Sequence, residues 1–231
     1  MANTPTFHNV TVNDTAKVHY FEAGARHLPT LLLFHGFPSS STQFRDLAPL
    51  LAHKYHIVAP DLPGFGLTTV PADFVFTFDN LASTIQALLA ALKITSYAVY
   101  NFDYGAQVGL RLALRNSDHV KAIISQNGNA YVEGFGYPFR VPIMEQWSSN
   151  NSDASRDYLR NNALTLAATE SQYTASVPEA DIKLVDPSHR HLDFLQNEHG
   201  RENQKHQLDL FYDYRTNVEI YPAVHGYFRK S

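Results

Sequence analysis

The stretch YAVYNFDYGAQVGLRLAL, Tyr97 to Leu114, has two different periodicities on either side of one acidic residue. YAVYNF is a short apolar run that predicts a buried strand, and GAQVGLRLAL has apolar residues at helical spacing. Asp103 lies between them and is followed by Gly105 and Ala106, so the pattern predicts a sharp strand-to-helix turn with small neighbours. Two interpretations follow: Asp103 is a nucleophile held on the turn, or it is only the N-cap of the helix.

The rest of the first half repeats this alternation of strand and helix. Strands are predicted for KVHYFEAG, TLLLFH, HIVAP and VKAIISQN, and helices for FRDLAPLLAHK and DNLASTIQALLAALK. Such alternation is typical of a mostly parallel sheet with helices on both faces. We therefore predict an α/β core over residues 1–129.

The composition changes beyond this core. Residues 130–207 begin with the Gly-rich and aromatic run AYVEGFGYPF and continue as polar, helix-like segments, which we interpret as an inserted helical lid. Residues 208–231 are interpreted as a return helix, or a helix pair broken near Pro222, that leads back to the core.

Composition and charge exclude several classes of protein. The 231 residues are 44% hydrophobic, which is enough for one substantial core, and the net charge of -4 is not arranged in blocks. Because no basic block is present, we expect no nucleic-acid partner. We also expect no membrane partner, because no apolar run reaches the roughly 18 residues of a membrane span. The N-terminus does not resemble a signal peptide, and the absence of cysteine is compatible with a reducing compartment. A soluble, cytoplasmic protein is predicted.

Two loops are predicted to meet Asp103. HGFP, His35 to Pro38, follows the strand TLLLF, and DLPGFG, Asp61 to Gly66, follows the strand HIVAP. The carboxyl ends of parallel strands lie at one edge of a sheet, where such folds bind ligands. The backbone N–H groups of Phe37 and Tyr104 can there form an oxyanion hole. We expect a small-molecule substrate in this crevice.

These motifs resemble a known family. HGFPSSSTQFRDLAPLLA, VAPDLPGFGLT and YNFDYGAQVGLRLAL are similar to α/β-hydrolases with a lid domain, in the branch where Asp replaces Ser at the elbow, as in epoxide hydrolases and haloalkane dehalogenases. The resemblance implies that Asp103 is the nucleophile, that Phe37 and Tyr104 are oxyanion donors, and that His35 and Gly36 support them. It implies no cofactor and no metal.

An Asp nucleophile suits particular reactions. A carboxylate is ionised at neutral pH and attacks a saturated carbon without a base, so epoxide opening or halide displacement through an ester intermediate is implied. Dehalogenases usually have Trp directly after this Asp, whereas this chain has Tyr104. Epoxide or ester chemistry is therefore preferred.

The resemblance also implies a catalytic acid and a His on later loops. The chain ends at FRKS, where the seventh strand is expected to begin, so the usual acid and His are predicted to be missing. Among the remaining histidines, His225 is the least implausible substitute base and is expected to be dispensable. The others in the polar region are interpreted as surface residues rather than metal ligands: His189, His191, His199 and His206.

Two aromatic residues of the lid are candidate substrate contacts. Tyr173 is considered because lid tyrosines of epoxide hydrolases donate hydrogen bonds to the epoxide oxygen, and Trp147 is the sole Trp. The alternative for Tyr173 is a packed side chain with a satisfied hydroxyl.

Three hypotheses about function stay open at this stage. The chain is a hydrolase of small organic substrates, a shortened relative that has lost turnover and serves as a binding or structural protein, or an incomplete gene product. The apolar strand VKAIISQN is typical of burial on both faces. Without further strands, its edge is expected to be covered by the segment after Tyr221, by a second copy of the chain in a homodimer, or by aggregation.

Overall fold

The computed structural model describes residues 4–137, 139–185 and 200–230, and its centre is a six-stranded sheet in the order β1-β2-β4-β3-β5-β6. The strands are β1 (Thr6–Val12), β2 (Ala16–Ala23), β3 (Thr30–Phe34), β4 (His56–Pro60), β5 (Tyr97–Phe102) and β6 (Val120–Gln126). The β1–β2 and β2–β4 pairs are antiparallel, and the β4–β3, β3–β5 and β5–β6 pairs are parallel. The predicted α/β class with a mostly parallel sheet is confirmed.

Both faces of the sheet are covered, and β3 shows why the sequence requires this. Successive side chains of a strand point to opposite faces. Leu31 and Leu33 join one buried cluster, and Leu32 and Phe34 join the other. Each such side chain contributes about 1.5–3 kcal/mol when it is fully buried, so a continuous apolar run is stable only between two layers.

Three helices of the first half supply these layers. They are α1 (Leu47–Leu51), α2 (Phe78–Ala91) and α3 (Tyr104–Arg115). Ala48 of α1 is buried in the cluster on one face, while α2 and α3 bury their apolar residues on the other. Helix α2 begins where the sequence allows a cap, since Thr77 Oγ1 accepts a hydrogen bond from the N–H of Asn80 at 3.1 Å.

Within the described ranges, five α-helices follow β6: α4 (Arg140–Ser148), α5 (Asp153–Asn162), α6 (Leu166–Thr174), α7 (Gly200–Asp213) and α8 (Arg215–Phe228). Polar contacts fix α4 and α5 to α7. Gln146 Nε2 donates to the carbonyl of Leu208 at 2.9 Å, and Arg156 Nη1 pairs with Asp209 Oδ1 at 2.8 Å. These helices therefore form one packed layer with α7.

A buried arginine fixes α8 to α3. Arg111 Nη1 donates to Asn217 Oδ1 at 2.5 Å, and its Nη2 donates to Thr216 Oγ1 at 2.9 Å. Asp213, at the end of α7, accepts a hydrogen bond from the N–H of Phe78 at 2.8 Å and so joins the first turn of α2. These hydrogen bonds thus join α3 to α8 and α2 to α7, helices that are far apart in the sequence.

Three sequence predictions need correction. The final helical region is broken at Tyr214 rather than near Pro222. Pro222 lies inside α8, where the buried side chains of Tyr221 and Val224 stabilise the helix on both sides of the proline. Strand β1 was not predicted. Strand β6 is not buried on both faces: only Val120 is buried, because β6 is the edge of the sheet.

No helix in the described ranges is long and apolar enough to cross a membrane.

Candidate active site

Asp103 lies on the turn between β5 and α3, with a backbone conformation (φ 48°, ψ −115°) that non-glycine residues rarely adopt. Such conformations cost about 1–3 kcal/mol and persist only where the surroundings impose them. Two glycines allow the turn. A Cβ on Gly105 would lie 2.4 Å from the carbonyl oxygen of Phe34, and a Cβ on Gly36 would lie 2.3 Å from the Cβ of Asp103. The predicted sharp turn with small neighbours is present.

The carboxylate of Asp103 is bound from another loop. The backbone N–H of Phe37 donates to Oδ1 of Asp103 at 2.8 Å, whereas the carboxylate makes no N-capping hydrogen bond with α3. Burial raises the pKa of Asp103 to about 6, although the N–H groups of Phe37 and Tyr104 oppose this shift. The group is therefore mainly ionised at pH 7 and protonated at pH 5.

His35 fixes the loop that carries Phe37. Its ring is fully buried, its Nε2 accepts a hydrogen bond from the N–H of Leu62 at 3.0 Å, and its Nδ1 lies 3.1 Å from the carbonyl oxygen of Gly36. Since a carbonyl only accepts, Nδ1 carries the proton and donates. Burial lowers the pKa of His35, so the neutral ring joins the HGFP loop to the DLPGFG loop.

Asp61 is a second anchor that the sequence analysis did not single out. Its Oδ1 accepts from the N–H of Ser41 and its Oδ2 accepts from the N–H of Leu67, both at 2.8 Å. Gly66 adopts a positive φ of 53° directly beside it, where a Cβ would lie 2.0 Å from Oδ2. Gly66 of DLPGFG therefore makes room for a buried carboxylate, whereas a Cβ on Gly64 would meet the ring of Phe76.

Three cavities meet at Asp103. The first has a volume of 280 Å³ and is also lined by Tyr104, Asn129 and Tyr214. The second, of 430 Å³, is lined by Gln43 and Tyr173. The third, of 560 Å³, lies between the elbow and α5 and α6. Phe37 borders the second and the third, so the carboxylate lies at a junction of cavities that each have aromatic side chains in their walls.

The two aromatic candidates of the helical region are placed differently. Tyr173 lines the second cavity together with Asp103. Trp147 is not among the residues that line the three cavities, because its indole N–H donates to the carbonyl of Phe211 at 2.9 Å and its ring stacks on Phe135 at 5.6 Å. The geometry gives Trp147 a packing role.

No histidine lines any of these cavities, and Asp103 is their one acidic residue, within the described ranges. His225 Nε2 donates to the carbonyl of Ala130 at 2.8 Å and its ring stacks on Tyr131. His206 stacks on Phe76. His189, His191 and His199 lie outside the described residues.

The sequence analysis missed two asparagines of the first cavity, Asn127 and Asn129. Asn127 follows β6 with a positive φ of 53° and precedes Gly128, so the Asn-Gly pair was the available signal for a turn at this edge of the sheet. No metal-binding group of three or more His, Asp or Glu side chains occurs in the part of the chain that the structure describes.

The sequence model of the family described as "alpha/beta hydrolase fold" matches residues 29–225. This range contains both loops and the elbow, and it exceeds half of the chain. The chain belongs to the α/β-hydrolase fold family. The resemblance inferred from the motifs is thereby confirmed.

This chain matches a different share of the length of each known α/β-hydrolase relative. An uncharacterized hydrolase of Saccharomyces cerevisiae is 44% identical over 230 residues, which cover 97% of this chain and 77% of the yeast protein. A haloalkane dehalogenase of Psychrobacter cryohalolentis is 32% identical over 136 residues, 54% of this chain and 45% of its own length. The chain thus spans less than half of that dehalogenase.

Among solved structures of the fold, the epoxide hydrolase CorEH matches with a TM-score of 0.69 at 20% sequence identity. The match covers 90% of this chain and 73% of that one. At this identity the likeness concerns the fold.

Proposed function

We propose that this chain is a hydrolase of small organic substrates in which the carboxylate of Asp103 attacks a saturated carbon. The observation that supports this most strongly is the position of Asp103: it lies on a strained turn, is bound by the N–H of Phe37, and borders three cavities. Strain and burial of a carboxylate are costs that a structural N-cap does not require.

The two carboxylate oxygens would have different roles. Oδ2 forms the new bond to carbon, and Oδ1, which the N–H of Phe37 already binds, becomes the carbonyl oxygen of the ester. When water later attacks the Cγ of Asp103, negative charge develops on Oδ1. The N–H groups of Phe37 and Tyr104 then act as the oxyanion hole.

The second step of the proposed cycle needs a group besides Asp103. Ester hydrolysis needs a general base within hydrogen-bond reach of the attacking water. The described residues that line the three cavities include no histidine. For the 231-residue chain we therefore expect alkylation of Asp103 without rapid release.

The same observation favours a second candidate function. A relative that binds small molecules at the elbow without turnover would keep the aromatic cavities and need no base. It is distinguished from the hydrolase by the absence of any covalent product on Asp103.

The helical region would cover the site. We propose that residues 130–207 act as a lid over the core of residues 1–129, that 208–231 return to the core, and that Tyr173 contacts the substrate. Epoxides and esters remain the preferred substrates because Tyr104 rather than Trp follows the nucleophile. The attack on a saturated carbon applies to epoxides and alkyl halides, whereas an ester would be attacked at its acyl carbon and would release its alcohol. The named relatives include an uncharacterized hydrolase and a haloalkane dehalogenase, so alkyl halides belong in the same test.

The test is the intact mass of the protein after incubation with a short-chain epoxide, an alkyl bromide of the same skeleton, and an ester. We expect one equivalent of added mass on the peptide that contains Asp103, with no addition to the Asp103→Asn variant. Multiple turnovers without an accumulated adduct would show that a base is present. Unmodified protein with all reagents would favour the binding function.

A further inference from the structure

Asp103 and Asn127 occupy matching positions at the ends of two neighbouring strands. Strands β5 and β6 are parallel, and their register ends with the pair Phe102 and Gln126, so Asp103 and Asn127 each come one residue after it. Both residues have a positive φ, 48° and 53°. Neighbouring strands lie about 4.8 Å apart, and both residues line the 280 Å³ and the 430 Å³ cavities. Asn127 is therefore a close neighbour of the elbow.

The fold favours both residues of the pair Asn127-Gly128. Among residues other than Gly, Asn and Asp adopt a positive φ most readily, which suits the turn after β6. A Cβ on Gly128 would lie 2.4 Å from Oγ of Ser125 and 2.6 Å from the Cβ of Ala106. Conformation at one position and packing at the next thus retain an Asn-Gly pair.

This pair is chemically labile. Glycine has no side chain to hinder attack by its own backbone nitrogen on the carboxamide before it, so Asn-Gly is the dipeptide in which an asparagine cyclises most readily. Asn127-Gly128 is the one such pair in the sequence. Asn127 is exposed, and neither its carboxamide nor the N–H of Gly128 makes a hydrogen bond with another described residue. No contact in the described ranges therefore restrains the reacting groups.

We propose that Asn127 is a deamidation site, and that the carboxylate formed there slows the chemistry of Asp103. The nitrogen of Gly128 forms a bond to Cγ of Asn127, the bond from Cγ to the side-chain nitrogen breaks, and ammonia leaves with the proton of Gly128. Water then opens the cyclic imide at either carbonyl, which gives aspartate or isoaspartate. One water is consumed, one ammonia is released, and either product carries one new negative charge.

The new charge acts on Asp103 because no described cation lies between them. Asp103 is the one charged residue among the described residues that line the two cavities, and the other titratable ones are tyrosines: Tyr104, Tyr137, Tyr173 and Tyr214. Burial already raises the pKa of Asp103 to about 6, and a second carboxylate raises it further, since each like charge opposes ionisation of the other. Exposure of position 127 lets salt weaken this effect.

The first experiment measures deamidation and does not depend on the proposed function. Purified protein is kept at mildly alkaline pH, and digests taken over time are analysed by mass spectrometry for exchange of the side-chain NH₂ for OH. Asn116 and Asn151, each followed by Ser, are internal controls. We expect Asn127 to react at least about tenfold faster than either, because only Gly128 lacks a Cβ. Equal rates at the three sites would overturn the proposal.

The second experiment measures the effect of the charge, with Asn127→Asp as a mimic of the product. The carboxyl carbon of Asp103 is titrated by NMR, and its signal is assigned by its loss in Asp103→Asn. We expect Asn127→Asp to raise the midpoint of this titration by about 0.5–1 pH unit, and by less at high salt. An unchanged midpoint, or a shift that salt does not reduce, would contradict the electrostatic mechanism.

The third experiment tests the consequence for Asp103 and rests on the proposed function. At pH 6, epoxide labelling of Asn127→Asp should be about two- to fivefold slower than that of the parent, as the smaller ionised fraction of Asp103 requires. Aged parent protein should slow in the same way. Asn127→Gly is the matched control, because it accepts a positive φ and cannot deamidate, so its aged sample should keep the rate of its fresh sample.

The outcomes separate the two levels of the argument. If fresh parent protein is alkylated by no reagent, the proposed function fails, while the deamidation rates and the NMR titration still decide the modification and its charge effect. If the parent is alkylated and aged Asn127→Gly loses reactivity as fast as aged parent, this inference alone fails.

Discussion

The backbone N–H of Phe37 and the carboxylate of Asp103, 66 residues apart in the chain, are joined by a hydrogen bond of 2.8 Å. This bond connects the loop after β3 to the turn after β5, two strands that are parallel neighbours in the sheet. The catalytic proposal depends on this relationship, since it places one carboxylate oxygen on a fixed donor and leaves the other to react.

The rate of alkylation should follow the ionisation of Asp103. Burial raises the pKa of this group to about 6, and only the carboxylate is nucleophilic. Between pH 5 and pH 7.5 we expect the labelling rate with a neutral epoxide to rise about tenfold and then level off. Stopped-time mass spectra at a series of pH values measure this, and a rate independent of pH would contradict it.

The free energy of unfolding should also depend on the ionisation of Asp103, but it should fall as the pH rises, whereas the labelling rate should increase. Because the folded state raises the pKa from 3.8, ionisation of Asp103 destabilises the fold, and stability is lost as the pH rises from about 4 through 6. Asp103→Asn should therefore be more stable than the parent at pH 7.5, by about 1–3 kcal/mol, and about equal at pH 3.5. Urea unfolding at both pH values checks this difference. Equal gains at both would indicate relief of backbone strain alone.

Gly36→Ala should damage the site. The new methyl group would lie 2.3 Å from the Cβ of Asp103, so the HGFP loop or the elbow must move. We expect labelling of Asp103 to slow at least tenfold. Gly226→Ala in α8 is the matched control, because a Cβ there meets no atom within 4 Å. Similar losses in both variants would mean that the effect is not local.

His225→Ala should leave chemistry at Asp103 within a few-fold of the parent. The ring donates to the carbonyl of Ala130 and stacks on Tyr131, and it does not line the cavities around Asp103. Loss of this hydrogen bond should lower the free energy of unfolding by about 0.5–1.5 kcal/mol. Labelling rates and denaturant unfolding separate the two effects. A 100-fold loss of turnover would instead identify His225 as a base.

The open edge of β6 should promote association. Ile124 of this strand is 48% exposed, and the strand pairs only with β5 among the described residues. We expect concentration-dependent association at micromolar concentration, reduced by Ile124→Lys because a lysine on an edge opposes pairing. Phe7→Lys on β1, the opposite edge, is the control. A parent that sediments as a monomer would refute this.

Apart from β1, the strands and α-helices of the first half could be predicted, because the spacing of their apolar residues indicates them. The elbow and its two partner loops could also be placed, since parallel strands bring their carboxyl ends together. Proline usually interrupts a helix, so the sequence predicted a break at Pro222, but the buried side chains of Tyr221 and Val224 stabilise α8 on both sides of it. Tertiary packing of this kind has no local signal.

The asparagines of the first cavity could not be predicted for a related reason. Asn129 is one of several asparagines in the sequence, and nothing in its local sequence indicates that it lines a cavity beside Asp103. Likewise, Trp147 looked like a substrate contact by its rarity, whereas its N–H is used by the carbonyl of Phe211. The type of a residue indicates which hydrogen bonds its side chain can make, but only the folded structure shows which partner each polar atom binds.

The junction of three cavities at one carboxylate bears on the shape of molecule that the site can accept. A reactive carbon at the end of a linear chain would occupy one cavity and leave the other two to water. A reactive carbon in the middle of a branched skeleton would place each substituent against a different aromatic wall and release more water. We expect internal, disubstituted carbons to react in preference to terminal ones, so that branching rather than overall length governs selection.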